Sequence, residues 1–231
     1  MKLHPGLLEA TFLARPNRFL AYMTLARRKV AVHVPNSGRL RELMRPGHRM
    51  LLAPVTHDGR RKTNYDLALV EVDGVLVSAD ARAPNALLSE AIAAGRLPEF
   101  AAYDKVRREV RLGESRVDLL LTGPTPPCWV EAKSVTLIED GTGLFPDSPT
   151  ERGRRHLSSL IGAVGQGHRA AVAFVVQRPD AERFRPNANA DPRFLDALKT
   201  ASGKGVEVYA YRCAVSRSHV EISGRLPVEL A

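Results

Sequence analysis

Seven consecutive apolar residues, 170–176 (AAVAFVV), constrain this chain more than any other feature. A run of that length with no alternating polar position reads as a strand buried on both faces, and such a strand needs a sheet covered by helices on each side. The flanking sequence provides the helices. Residues 85–94 carry Leu87, Leu88, Ala91 and Ile92 on one side and end at Gly95. Leu157, Leu160, Ile161 and Val164 recur at i, i+3, i+4, i+7, and Asp191-Pro192 opens a third helix bearing Phe194, Leu195 and Leu198. Residues 148–151 (SPTE) read as a capping box at the head of the second helix, with proline in the first helical position. Strands are expected at 106–112 and 117–121 about a Gly113 turn, at 129–135, and at 206–211 as the last. This α-β-β-β-α-β-α-β order predicts a mixed-sheet α/β domain over residues 83–231.

Residues 1–82 have a different texture. Phe19, Ala21, Met23 and Leu25 alternate with Leu20, Tyr22 and Thr24, and Val30, Val32 and Val34 follow at period two, with Arg27 and Arg28 at the intervening turn. Residues 50–53 form another apolar run, and 67–72 and 75–77 flank the hairpin signal Asp73-Gly74. Residues 38–44 read as a short helix carrying Leu40, Leu43 and Met44. Five short strands and one small helix predict a compact OB-like β-barrel domain.

The barrel segment also holds most of the net positive charge. The chain carries a net +9, and residues 1–82 contain 14 Lys and Arg against 7 Asp and Glu, whereas the remainder has 20 against 18. The basic residues cluster at Arg15/Arg18, Arg27-Arg28-Lys29, Arg39/Arg41/Arg45 and Arg60-Arg61-Lys62. OB-like barrels present such faces to nucleic-acid strands, so Arg18, Arg28, Lys29 and Arg39 are expected to bind phosphates; a solvated charged face is the plain alternative. The expected partner is a nucleic acid, DNA or RNA. Only 6% of residues are aromatic, too few for an extended base-stacking platform. Two cysteines exclude a disulfide framework and a Cys-rich zinc site. No apolar run approaches the roughly 18 residues of a membrane span, and the N-terminus lacks the apolar core of a secretory signal. A soluble, cytoplasmic protein with no membrane partner is expected, and its oligomeric state is open.

The residues that carry chemistry are Asp118, within RVDLLL (116–121), and Glu131 and Lys133, within WVEAKS (129–134). Alternation along a strand projects Glu131 and Lys133 to the same side. If the two strands pair, two carboxylates and an ammonium meet at one sheet edge. Hard oxygen ligands suit Mg²⁺ or Mn²⁺, which neutralises phosphate and acidifies a bound water. Asp118, Glu131 and Lys133 are therefore the candidate catalytic residues, and the first two are the candidate metal ligands. A surface salt bridge, worth roughly 0–1 kcal/mol, is the bland alternative.

Aspartate followed after twelve residues by Glu-Ala-Lys on the next strand resembles the PD-(D/E)xK, restriction-endonuclease-like superfamily, although Val117 stands where the proline of that pattern would be. The resemblance implies a third carboxylate on the preceding helix, matched by Glu90, for which a solvated helix glutamate is the competing reading. It also implies a polar residue where the apolar strand ends, matched by Gln177 and Arg178. Arg152, Arg155 and His156 follow the active strand, with Arg152 and His156 four residues apart on one face; they are read as phosphate contacts, or His156 as an aid to proton transfer, and a satisfied surface or core histidine is the plain alternative. Asn36, Ser37 and Gly38 form a turn whose amides are read as a phosphate cradle or as a plain N-cap. Asp147 lies in the 141–147 loop and is read as bordering the site, with turn chemistry an equal explanation.

Over its whole length the chain resembles the sugar fermentation stimulation protein A family. The matching segments are PNSGR (35–39), NALLSEA (85–91), VDL (117–119), VEAKSV (130–135), FPD (145–147), RGRRHL (152–157) and VQRPD (176–180), in that order. The resemblance implies an N-terminal OB-like domain, a nuclease-like C-terminal domain, DNA binding without marked sequence preference, and a link to regulation of sugar metabolism. Two functions follow. One is a DNA-binding protein with a Mg- or Mn-dependent phosphodiesterase site. The other is a sequence-nonspecific DNA-binding regulator whose nuclease-like domain is silent. The intact Asp118–Glu131–Lys133 set favours the first.

Overall fold

The structure, a computed structural model, describes residues 1–56 and 61–230; Arg60 of the last basic cluster lies outside them. Two tight turns in which both central residues take positive φ, Ala26-Arg27 (47° and 64°) and Asp73-Gly74 (50° and 79°), set the hairpins of the first domain. That backbone twist matches the twist of the strands it joins. The strands are β1 (Leu8–Asn17), β2 (Leu20–Leu25), β3 (Arg28–His33), β4 (Arg49–Pro54), β5 (Tyr65–Val72) and β6 (Val75–Ser78). The sheet runs β3-β2-β1-β4-β5-β6, and a single parallel pair, His33 with Asp66, joins β3 to β5 and closes the first five strands into a barrel. Phe12, Met23, Val32, Met50, Leu52, Leu67 and Val77 fill it.

The sequence reading assigns no strand to β1, which pairs with both β2 and β4. Residues 38–44 do not form a helix. Leu40 takes φ 51°, and only a single turn closes after it, with the Leu43 and Met44 amides on the Leu40 carbonyl at 3.1 and 2.8 Å.

The second domain contains α1 (Ala83–Ala93), a 3-10 turn (Pro98–Phe100), β7 (Lys105–Leu112), β8 (Ser115–Thr122), β9 (Cys128–Val135), β10 (Ile138–Glu139), β11 (Thr142–Phe145), α2 (Glu151–Gly165), β12 (Arg169–Val176), β13 (Arg183–Pro186), α3 (Pro192–Gly203), β14 (Glu207–Val215) and β15 (Val220–Leu226). Its main sheet runs β15-β14-β12-β9-β8-β7, with β9, β12 and β14 mutually parallel and the outer pairs antiparallel. β10, β11 and β13 form a small second sheet. β12 divides its side chains by parity. Ala171, Ala173 and Val175 pack with Leu87, Leu88 and Ala91 of α1, whereas Val172, Phe174 and Val176 pack with Leu157 and Leu160 of α2 and Phe194 and Leu198 of α3. β14 is not the last strand, since β15 pairs antiparallel with it. The cap of α2 is Thr150, whose hydroxyl oxygen accepts the Gly153 amide at 3.0 Å, so Pro149 precedes the cap and does not open the helix. Asp191 caps α3 as expected and also accepts the Thr150 amide at 2.8 Å, tying the two helix starts together.

The domains are sewn together at several places. Gln177, fully buried at the end of β12, accepts the Ser78 amide and hydroxyl through its carbonyl and side-chain oxygens, and its side-chain amide donates to the Asp80 carbonyl at 3.1 Å and the Ser134 hydroxyl at 2.8 Å. The residues before the barrel cross to the other domain, where the Leu3 amide donates to Ser218 and the Val220 amide to Met1. Both cysteines are free and buried, and burial pushes each thiol up to about 12. Among the described residues no helix is long and apolar enough to cross a membrane.

Candidate active site

The paired register of β8 and β9 stops at Leu119–Val130, and the carboxylates stand just past it. There the Asp118 side chain replaces the missing backbone partner: its Oδ2 accepts the Ala132 amide at 2.8 Å, while Oδ1 accepts Asn85 Nδ2 at 2.7 Å. Asn85 sits in the first turn of α1, a site role that the sequence reading does not assign. Glu131, 3% exposed, directs Oε1 to Lys133 Nζ at 2.7 Å and to His156 Nδ1. Arg152 Nε donates to His156 Nε2 at 3.4 Å, which leaves Nδ1 as the nitrogen that carries the proton toward Glu131.

The two carboxyls are driven apart. Burial and the nearby Glu131 charge raise Asp118, partly offset by the Ala132 and Asn85 hydrogen bonds. Burial acts on Glu131 in the same direction, but Lys133 and His156 outweigh it and hold that carboxyl below its ordinary value. Glu131 Oε2 is buried with no hydrogen-bond partner.

These groups open into a cleft of about 790 Å³ whose other wall is the barrel, through Arg18, Asn36, Ser37, Gly38 and Leu40. Arg152 and Asp147 also line it. Asp147 bridges the walls, because its Oδ2 accepts the Arg39 and Leu40 amides. The 36–38 turn is therefore not an open phosphate cradle. The Gly38 amide donates to Asn36 Oδ1, and Asn36 Nδ2 donates to the Ala79 carbonyl, so Asn36 is engaged in shaping the turn.

Other candidates lie elsewhere. Glu90 is half-exposed, pairs with the Met1 ammonium at 2.6 Å and does not line the cleft. It follows Asn85 by five residues, about 140° around the helix, and so points away from Asp118. Gln177 is consumed by the domain junction, and buried Arg178 pairs with Asp180 and donates to the Thr136 carbonyl. Neither offers a free group to a phosphate. Arg155 is exposed and pairs with Glu151, while Lys29 sits over the Tyr22 ring; neither they nor Arg28 line the cleft.

Such a cleft can be compared with known proteins. A model described as the sugar fermentation stimulation protein RE domain matches residues 82–219, and one described as the SfsA N-terminal OB domain matches residues 13–79. The chain belongs to the sugar fermentation stimulation protein family. Its relatives include sugar fermentation stimulation protein homologs from Desulforamulus reducens, 44% identical across 98% of this chain and 94% of that one, and Moorella thermoacetica, 44% identical across the whole of both. It also resembles the solved structure of Pyrococcus furiosus SfsA in complex with Ca²⁺, with a TM-score of 0.91, 33% identity and coverage of 99% of this chain and 98% of that one.

The residues present fit a divalent cation, although no group of three or more His, Cys, Asp or Glu side chains among the described residues is arranged to hold one. Two adjacent carboxylates, Asp118 half-buried and Glu131 buried, the latter with an oxygen lacking any donor, form a hard-oxygen set that a cation would complete. With only two carboxylates, several coordination positions would fall to water or substrate, as is usual for Mg²⁺.

Proposed function

We propose that this family member is a metal-dependent phosphodiesterase acting on nucleic acid, DNA first, in the cytoplasm. The observation that carries the reading is the pair of half-buried Asp118 and buried Glu131, with Lys133 on the latter and a partnerless Glu131 oxygen, facing a cleft whose opposite wall is the basic barrel. Asp118 and Glu131 would hold Mg²⁺ or Mn²⁺, with the Ala132 carbonyl as a further oxygen. When bound, such an ion neutralises phosphate charge and lowers the pKa of a bound water. Lys133 and His156 fix the Glu131 carboxylate by holding Oε1, which leaves Oε2 for the ion. Lys133 also places a positive charge where negative charge grows during attack on phosphorus. Arg18 and Arg152, on facing parts of the cleft lining, orient the strand through its phosphates.

The test is incubation of the full chain with labelled single- and double-stranded DNA and RNA in Mn²⁺, Mg²⁺ or EDTA. Metal-dependent cleavage abolished by Glu131→Gln supports the proposal. A second reading, a sequence-nonspecific DNA-binding regulator connected to sugar metabolism, rests on the basic barrel and the relatives' name, and salt-sensitive binding with no cleavage in any arm would favour it.

A further inference from the structure

Beside the cleft, and sharing Arg18, Ser37, Gly38 and Ser148 with it, lies a second cavity of about 210 Å³. Its lining includes three arginines, Arg15, Arg18 and Arg39, with Ser37, Ser148 and Asn17, and no carboxylate. None of the three arginines is in an ion pair among the described residues. The nearest acid, Asp147, directs Oδ2 to the Arg39 and Leu40 amides and Oδ1 to the Ser148 hydroxyl.

Arg15 is the built part of this pocket. Its Nη1 donates to the Arg39 carbonyl at 2.6 Å, and Nη2 donates to the Arg18 carbonyl at 2.6 Å and the Asn36 carbonyl at 2.9 Å. One guanidinium thus fixes the backbone of both residues whose own cationic side chains are exposed at the pocket. Its partners are all neutral carbonyls, and its Nε is buried with no partner. Burial, with the neighbouring Arg18 charge, holds the guanidinium below its ordinary pKa against the opposing pull of Asp147 and Glu42. A half-buried cation whose hydrogen bonds all go to neutral carbonyls is only partly compensated by the Asp147 and Glu42 charges nearby, and an anion bound beside it would add to that compensation. The loop must also stay close to Asp147, since a Cβ on Gly38 would lie 2.7 Å from Asp147 Oδ2.

We propose that this pocket is a phosphate subsite, taking a phosphate of the strand whose backbone continues into the Asp118–Glu131 cleft. Guanidinium forks and the Ser37 hydroxyl match phosphate oxygens, and the shared rim lets one backbone occupy both cavities. The proposal deepens the phosphodiesterase reading and rests on it for the identity of the cleft.

The experiment uses the full chain in EDTA, so that binding is measured without cleavage. Inorganic phosphate is titrated by calorimetry, and short single-stranded DNA, with and without a 5′-phosphate, and a circular single strand are titrated over a salt series. The variants are Arg18→Gln, Arg39→Gln, their double, and Arg28→Gln as a basic residue outside both cavities. The expected result is heat on phosphate addition and a salt slope that falls by about 0.7 for each pocket arginine removed, with a smaller change for Arg28→Gln. Dependence on the 5′-phosphate identifies a terminal phosphate as the occupant, and equal binding of the circle identifies an internal one. Absence of phosphate heat, or equal slope changes for all three arginines, overturns the subsite. Metal-dependent cleavage is scored separately on the wild type: its absence with the slope changes present sinks the phosphodiesterase and leaves the phosphate site standing.

Discussion

Asp118 Oδ2 accepts the Ala132 amide at 2.8 Å, in the place where a backbone carbonyl of β8 would have continued the ladder with β9. A side chain thus takes over from the sheet where the two strands part, and the opening it sustains holds both carboxylates. Both Asp118 oxygens face donors, the second being Asn85 Nδ2. The Asp118 carboxylate is therefore structural as well as a candidate ligand. Asp118→Asn would turn an amide NH₂ toward one of two donors and cost roughly 1–3 kcal/mol. Metal loss in that variant cannot be separated from strain.

Glu131→Gln is the cleaner probe of the metal. Its Oε1 keeps the Lys133 and His156 donors, and its Nε2 replaces the partnerless Oε2 with a donor that repels a cation. The wild type should gain about 2.7 kcal/mol of stability in Mn²⁺ at a hundred times its Kd, and the variant almost none. Thermal melts with and without Mn²⁺ check this, and equal gains in both proteins would move the metal elsewhere.

His156 should act through Glu131. His156→Ala removes one of two donors to Oε1 and opens space beneath a buried carboxylate, at a cost of about 1–3 kcal/mol, with weaker Mn²⁺ binding. His156→Asn places an N–H where Nδ1 stands and should recover much of the Mn²⁺ affinity. Calorimetric titration of both variants decides it, and loss of stability with Mn²⁺ affinity intact would confine His156 to packing.

Legibility followed the range of the interactions. β12 was plain in the sequence because both of its faces are apolar, and Glu131 with Lys133 because strand alternation places them on one side; Asp118 joins them only through the pairing of β8 with β9. β1 was not, since only Ala10 and Phe12 of its ten residues are buried while Leu13 is exposed and Pro16 interrupts. The 38–44 segment looked helical by local spacing, yet its amides are claimed by Asp147, more than a hundred residues away. Gln177 and Arg178 looked available for phosphate because strand-end polarity does not reveal that one bonds the barrel and the other Asp180. Ser148 seemed the cap because it is followed by proline, but Thr150 is one residue before the helix and has the right reach to Gly153.

The barrel's closure should be pH-dependent. His33 and Asp66 form the single backbone pair between β3 and β5, and their side chains bond at 2.9 Å, with Arg61 on the same carboxylate. Burial alone would raise Asp66, but the hydrogen bonds from Arg61 and His33 bring it below its ordinary 3.8. A depressed carboxyl contributes stability above its unfolded value and loses it as pH falls through the folded one. Asp66→Asn should therefore cost about 1 kcal/mol near neutrality, and the difference from wild type should shrink once pH drops below 3.8. Denaturant titrations over pH check it, and a difference that persists unchanged in acid would assign the loss to packing.

Lys133→Ala should separate binding from chemistry. Lys133 is one charge among 34 basic residues, its side chain is 11% exposed, and it is already paired to Glu131. It therefore has little charge to offer a distant phosphate, and its loss should lower strand affinity by no more than a single phosphate contact. In cleavage its role is different, because it both holds Glu131 Oε1 and sets a positive charge where the transition state becomes more negative. Loss of one such preorganised group lowers the rate by roughly 100- to 1000-fold. Lys133→Met, which keeps the aliphatic stem without the charge, should behave like the alanine variant if charge is what matters. The measurement is metal-dependent cleavage and equilibrium binding on one substrate for the wild type and both variants. Undiminished cleavage in the variants would remove Lys133 from the mechanism, and recovery in Lys133→Met alone would reduce it to a packing residue.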